Sequence, residues 1–117
     1  MRTASLGLAI FWVAVGSAAW SQGDFSADDV RNGHHLAAMV CAVCHLAADD
    51  QPTLPILRPP APPFAVVAQR KDISADSLQK CLTTTHRNLA TQQGMPNPDL
   101  ADFQVKEVIA YLLSLRK

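Results

Sequence analysis

The sequence predicts a small all-α domain, and three observations carry that expectation. Apolar residues recur at three- and four-residue spacing in three separate stretches. Two of those stretches open on a serine placed to cap a helix. No run alternates with the period of two that a half-buried strand requires. The chain has 117 residues, room for one domain, and 49% of them are apolar, too many for a disordered tail. Ten Lys and Arg balance ten Asp and Glu, which argues against the basic stripe of a nucleic-acid-binding module. No internal repeat is present.

The first stretch, Met1 to Ser21, reads as a leader rather than part of the fold. Arg2 supplies a positive start, Leu6 to Val15 an apolar run, and Ala19-Trp20-Ser21 a small-x-small cleavage pattern, with Ser17-Ala18-Ala19 as a second option. The competing reading is an uncleaved anchor. Even stretched to Trp20, however, the run falls short of the ~20 residues of a spanning helix. The expected organisation is a signal peptide over 1–21 and one domain over 22–117, placed in the periplasm with no membrane insertion of the mature chain. Three cysteines in an oxidising compartment cannot all pair with one another, so a plain disulfide framework does not account for them.

Within the domain, Ser26-Ala27-Asp28-Asp29 resembles a capping box opening a helix that carries Val30, Gly33, Ala37 and Cys41 on one face. Gly33 and Ala37 leave little side chain there, so another helix backbone can approach closely. From Pro52 to Pro63 six of twelve residues are proline, which predicts a stiff extended segment wrapped around something bulky. A short helix at Phe64, Val67 and Ala68 follows, with Pro62 or Pro63 near its first turn. Ser74 opens a further helix through about Arg87, with Leu78, Cys81, Leu82 and Thr85 on its apolar face. Gly94, Pro96 and Pro98 then enforce a loop that presents Met95. A last helix runs from about Asp102 to Arg116 on Val105, Val108, Ile109, Leu112 and Leu115, flanked by Tyr111, with Arg116 and Lys117 at its dipole-favoured end.

The chemistry concentrates in Cys41-Ala42-Val43-Cys44-His45. Two thiols three residues apart on a helix face one side, where both can reach a planar ligand. Cys-x-x-Cys-His is the attachment signature of c-type haem, with the thiols adding to the two vinyl groups and the histidine held beneath the iron. A thioredoxin-like redox pair would belong beside strands, which are absent from the pattern. A structural zinc site would need four ligands, and Cys81 with His86 offers a poor second pair. Met95 is the first candidate for a distal iron ligand and His86 the second, while Met39 lies too near Cys41 to reach the opposite face. His34 and His35 are expected on the solvent or propionate side. Cys81 is expected as an inert buried thiol or, failing that, as the partner of an intermolecular disulfide.

The blocks "NGHHLAAMVCAVCH", "PPFAVVA", "GMPNPDLADF" and "VIAYLLSL" occur in an order that resembles a class I (monohaem) c-type cytochrome of the bacterial exported type. The resemblance implies a small cytochrome c fold of three to five helices around one covalently attached haem c, with the N- and C-terminal helices crossing at Gly33 and Ala37. It implies Cys41 and Cys44 as thioether anchors, His45 as proximal and Met95 as distal ligand of the iron, and a proline carbonyl orienting the histidine. Many prolines could serve. Ala101 stands where relatives often place a better cap, so the last helix is expected to fray or start at Asp99. The implied function is a monomeric electron carrier that meets redox partner proteins transiently and transforms no substrate of its own. Three alternatives stay open: a haem subunit dedicated to one exported dehydrogenase or oxidase complex, a haem ligand-binding or sensor module, and a thiol oxidoreductase. Arg58, Arg70, Lys71, Lys80 and Arg87 either gather into a docking patch or lie scattered.

Overall fold

The computed structural model describes residues 24–84 and 94–117. The leader expected over 1–21, and the roles considered for Thr85, His86 and Arg87, fall outside the described residues. Among the described residues four α-helices run in order: α1 (Ala27–Met39), α2 (Phe64–Val67), α3 (Ala75–Thr83) and α4 (Asp102–Ser114), with a 3₁₀ turn over Cys41–Val43 after α1. Among the described residues no named strand forms, and one isolated parallel bridge joins His45 to Ala61. No helix among them is long and apolar enough to cross a membrane.

The capping box of α1 forms as its sequence predicts. The Asp29 N–H donates to Ser26 Oγ at 3.0 Å, and the Ser26 N–H donates to Asp29 Oδ2 at 2.8 Å. That backbone bond, together with Lys106 at 3.0 Å, holds the Asp29 carboxyl below the usual carboxylate range. A carboxylate of lowered pKa contributes stability that is present above its unfolded value and lost as pH falls through the folded one. Asp29→Asn should therefore flatten the acid limb of the stability profile, measured by denaturant titration between pH 2 and 6, while removing about 1 kcal/mol near neutrality.

The α1 helix ends earlier than the apolar pattern suggests. Val40 is the C-cap, its N–H donating to Leu36 O at 2.9 Å, and the backbone then tightens so that Cys41 O receives both Cys44 N–H (3.1 Å) and His45 N–H (2.9 Å). Cys41 thus sits on a 3₁₀ turn and not on α1. The α3 helix is also shorter than expected, stopping at Thr83 with Thr84 extended. The hydroxyls of Thr83 and Thr84 bond the carbonyls of Gln79 (2.8 Å) and Lys80 (2.6 Å), a competition with the helix ladder that favours termination. Its start is the Ser74–Ser77 reciprocal cap.

The two long helices α1 and α4 cross where Gly33 stands. A Cβ built on Gly33 would overlap the Glu107 carbonyl and come within 2.9 Å of Tyr111 Cβ, so the backbones touch there because no side chain intervenes. Asn32 Nδ2 donates to Glu107 Oε1 at 3.0 Å beside the crossing. Contrary to the expectation of fraying, α4 starts at Asp102 with Ala101 as N-cap. Gln104 Oε1 accepts from the Ala101 N–H at 3.0 Å, supplying the half of a capping box that alanine cannot block. Asp99 is instead in the left-handed region (φ 53°), closing a turn in which its N–H donates to Asn97 Oδ1.

Val105, Val108, Ile109, Tyr111 and Leu112 of α4 form the middle of the core, met by Ala37 of α1, Phe64 and Ala68 around α2, and Leu78 and Leu82 of α3. Arg116 does not serve its own helix end. Its guanidinium donates to the carbonyls of Ala68 (3.0 Å) and Ile73, tying the turn after α2 to the C-terminus of the chain.

Candidate functional site

The site is built from two chain segments laid side by side. One is the 3₁₀ turn and its continuation through Leu46; the other is the proline-rich segment. Prolines lack an N–H, so the segment pairs through the residues that keep one. Ile56 N–H donates to Val43 O, Ala61 N–H to Cys44 O and Phe64 N–H to Leu46 O, each at 2.9 Å. The proline-rich segment is thus laid along Val43 to Leu46.

This pairing places Pro62 O 2.7 Å from His45 Nδ1. A carbonyl can only accept, so Nδ1 carries the proton and Nε2 keeps its lone pair for a metal. The ring is further fixed by the edge of Phe64, with centroids 5.3 Å apart and planes at 60°. Phe64 in turn lies 6.5 Å from Tyr111, whose ring is 5.1 Å from His34. Because i and i+3 eclipse in a 3₁₀ turn, Cys41 and Cys44 still share one side, by tighter geometry than the α-helical spacing supposed.

Burial and the neighbouring Cys44 push the Cys41 thiol up to about 11. Reactive redox thiols are held low, so this environment does not poise Cys41 as a redox nucleophile. No group of three or more His, Cys, Asp or Glu side chains is gathered for a metal ion among the described residues, and a four-ligand zinc site is not assembled there. Cys81 is half-buried rather than buried, because Leu78 and Leu82 are the α3 residues that reach the core; burial still raises its thiol.

Met95 is half-buried at the margin of the core, in the loop ahead of α4. Asn97 ties this loop to the end of α3, its Nδ2 donating to Thr83 O at 3.3 Å. His35 is exposed as expected, and His34, partly exposed, has its Nε2 2.7 Å from Oδ1 of the exposed Asp50. Two of the described cations are held within their own segments. Arg58 donates to the carbonyls of Pro55 and Leu57 in its own loop, Arg70 pairs with Asp72, and Lys80 lies in the last turn of α3. Sequence reasoning left the orienting proline open; the usable signal was its position, Pro62-Pro63 immediately before an apolar helix. It missed Gln51 altogether, and nothing in Asp50-Gln51-Pro52 marks that residue.

The packing fits a large flat apolar group held by these thiols. Among the described residues, six of the fourteen buried apolar ones are alanine, and the largest fully buried side chains are Ile109 and Val108. Meanwhile Val43 and Ile56, whose backbones are bonded beside the cysteine pair, are exposed by 45% and 72%. A chain with so sparse a core and so much apolar surface next to its thiols suits a bulky cofactor.

Residues 30–116 match the Cytochrome c family model, and the chain belongs to that family. It is a haem c protein of electron transfer, with the haem covalently attached and no substrate chemistry of its own. Among named relatives, cytochrome c-552 of Bradyrhizobium diazoefficiens is 33% identical over 90 residues, spanning 77% of this chain and 78% of its own. No solved structure matches the chain.

Proposed function

We propose that the protein is an exported, periplasmic electron carrier whose single haem c is held by Cys41 and Cys44 and ligated by His45 and Met95. The observation that carries this reading is the bond from His45 Nδ1 to Pro62 O, which leaves Nε2 as the free donor next to the two cysteines. The haem supplies a one-electron Fe(III)/Fe(II) couple, and the residues around it set where that couple lies. Pro62 O makes the imidazole a stronger donor, Phe64 fixes its plane, and Cys41 and Cys44 fix the register. Met95 contributes a soft thioether that favours Fe(II). Residues 1–21 are read as the export signal, removed to leave a monomer over 22–117 that meets its redox partners briefly through a small interface.

Visible spectra of the exported protein, oxidised and dithionite-reduced, test this directly, with acid–organic extraction of a parallel sample. Haem that resists extraction, a low-spin c-type spectrum and a weak far-red sulfur-to-iron band are expected. A high-spin spectrum would overturn Met95 ligation and favour an open iron. Met95→Ala should leave the haem attached, abolish the far-red band, lower the reduction potential and admit carbon monoxide without denaturant; an unchanged potential would transfer the role to another residue.

A further inference from the structure

The loop that leaves His45 is organised around one side chain. Gln51 Oε1 accepts from the N–H groups of Ala47 (2.7 Å) and Ala48 (3.1 Å). Its Nε2 donates to Thr53 O (2.6 Å) and, over a longer 3.4 Å, to His45 O. Two N–H groups meet one end of the amide and two carbonyls the other, so only this orientation of the amide satisfies all four. Ala47 and Ala48 are buried, and without Gln51 their N–H groups would face no acceptor. The same loop is gripped from outside by Tyr111, whose hydroxyl donates to Ala47 O at 2.9 Å, and by His34 through Asp50.

This loop spans the gap between His45 and the proline-rich segment that brings Pro62 back to it. Together with the Ala61–Cys44 and Phe64–Leu46 backbone bonds that hold Pro62, its shape therefore sets the geometry of the His45–Pro62 bond. We propose that Gln51 is a positioning residue for the iron ligand: its amide templates residues 45–53 and so holds the His45 imidazole on the Pro62 carbonyl. The proposal rests on His45 being an iron ligand. Loosening the loop weakens the Nδ1–H bond, lowers the donor strength of the ring and stabilises Fe(III) less, which raises the reduction potential.

The test uses the holoprotein and two readouts, the midpoint potential and the proton NMR signals of the ligated imidazole, including solvent exchange of its Nδ1–H. Gln51→Leu keeps the bulk and removes all four bonds without adding charge. It should raise the potential and speed Nδ1–H exchange by about tenfold or more. Asp72→Asn, which breaks the exposed pair with Arg70 and touches no part of the loop, should leave both unchanged. Gln51→Glu keeps the two acceptances but turns a second acceptor toward Thr53 O and His45 O. Its imidazole signals should move with pH, returning toward those of the parent protein as the carboxyl protonates and regains one donation. Unaltered imidazole signals and potential in Gln51→Leu, whatever its melting temperature, would reduce Gln51 to loop stability alone. Should Gln51→Leu not fold, pH-independent imidazole signals in Gln51→Glu would overturn the proposal equally. If the parent protein itself shows no ligated imidazole, the ligation reading fails and takes the proposal with it, an outcome distinct from the others.

Discussion

Gly33→Ala should lower stability by about 2 kcal/mol or more, although on an isolated helix the same change would gain up to about 1 kcal/mol. The sign reverses because the added methyl has nowhere to go. It would overlap the carbonyl of Glu107, main chain that cannot rotate aside, and crowd Tyr111 Cβ. Relief requires α1 and α4 to separate, which strips contact from Val108, Tyr111 and Leu112 together and strains the Asn32–Glu107 bond. For a domain of this size, that loss corresponds to a melting midpoint lower by on the order of 10 °C, read from thermal denaturation of the holoprotein. The damage should spread toward the site, since Tyr111 reaches Ala47 O from the same helix face. A midpoint equal to that of the parent protein would mean that the helices do not cross at Gly33.

The crossing was legible in the sequence because it depends on two residues at helical spacing, and small side chains leave a signature in the letters themselves. The Cys41-Ala42-Val43-Cys44-His45 motif stands out for a similar reason, being short and contiguous. What the sequence concealed depends on main chain meeting main chain. Which of six prolines faces His45 follows from the pairing of Ile56, Ala61 and Phe64 with Val43, Cys44 and Leu46, and that register is written in no side-chain pattern. Gln51 acts only on backbone atoms, so its identity matters while its neighbours in sequence say nothing. Helix ends were misjudged where local hydrogen bonding won over apolar spacing. The threonine hydroxyls stop α3, and Gln104 starts α4 from a residue with no cap of its own. Arg116 looked like a dipole partner because its position is right, yet it is drawn off by the carbonyls of Ala68 and Ile73.

The double variant Cys41→Ser/Cys44→Ser should carry no covalent haem and should not fold cooperatively. The reason lies in the composition of the core. With alanine at Ala37, Ala42, Ala47, Ala48, Ala68 and Ala110, the buried set contributes far less apolar area than the same number of leucines would, at about 25 cal/mol per Å². Domains this small already bury a modest fraction of their surface and lean on a cofactor or cross-link. Serine at both positions would remove the two thioethers proposed above and place two hydroxyls where thiols stood. Val43 and Ile56 would then stay exposed. Far-UV circular dichroism should lose most of its helical signal, and denaturant titration should show no sharp transition. The single variants should be intermediate, keeping one thioether and a shifted visible spectrum. Cys81→Ser is the matching control, because that thiol sits half-buried on α3 outside the attachment segment and its loss should leave haem content and spectrum unchanged. A haem-free double variant that still melts cooperatively would show the alanine-rich core to be sufficient by itself, and the anchoring role of the two cysteines would then have to be separated from any role in folding.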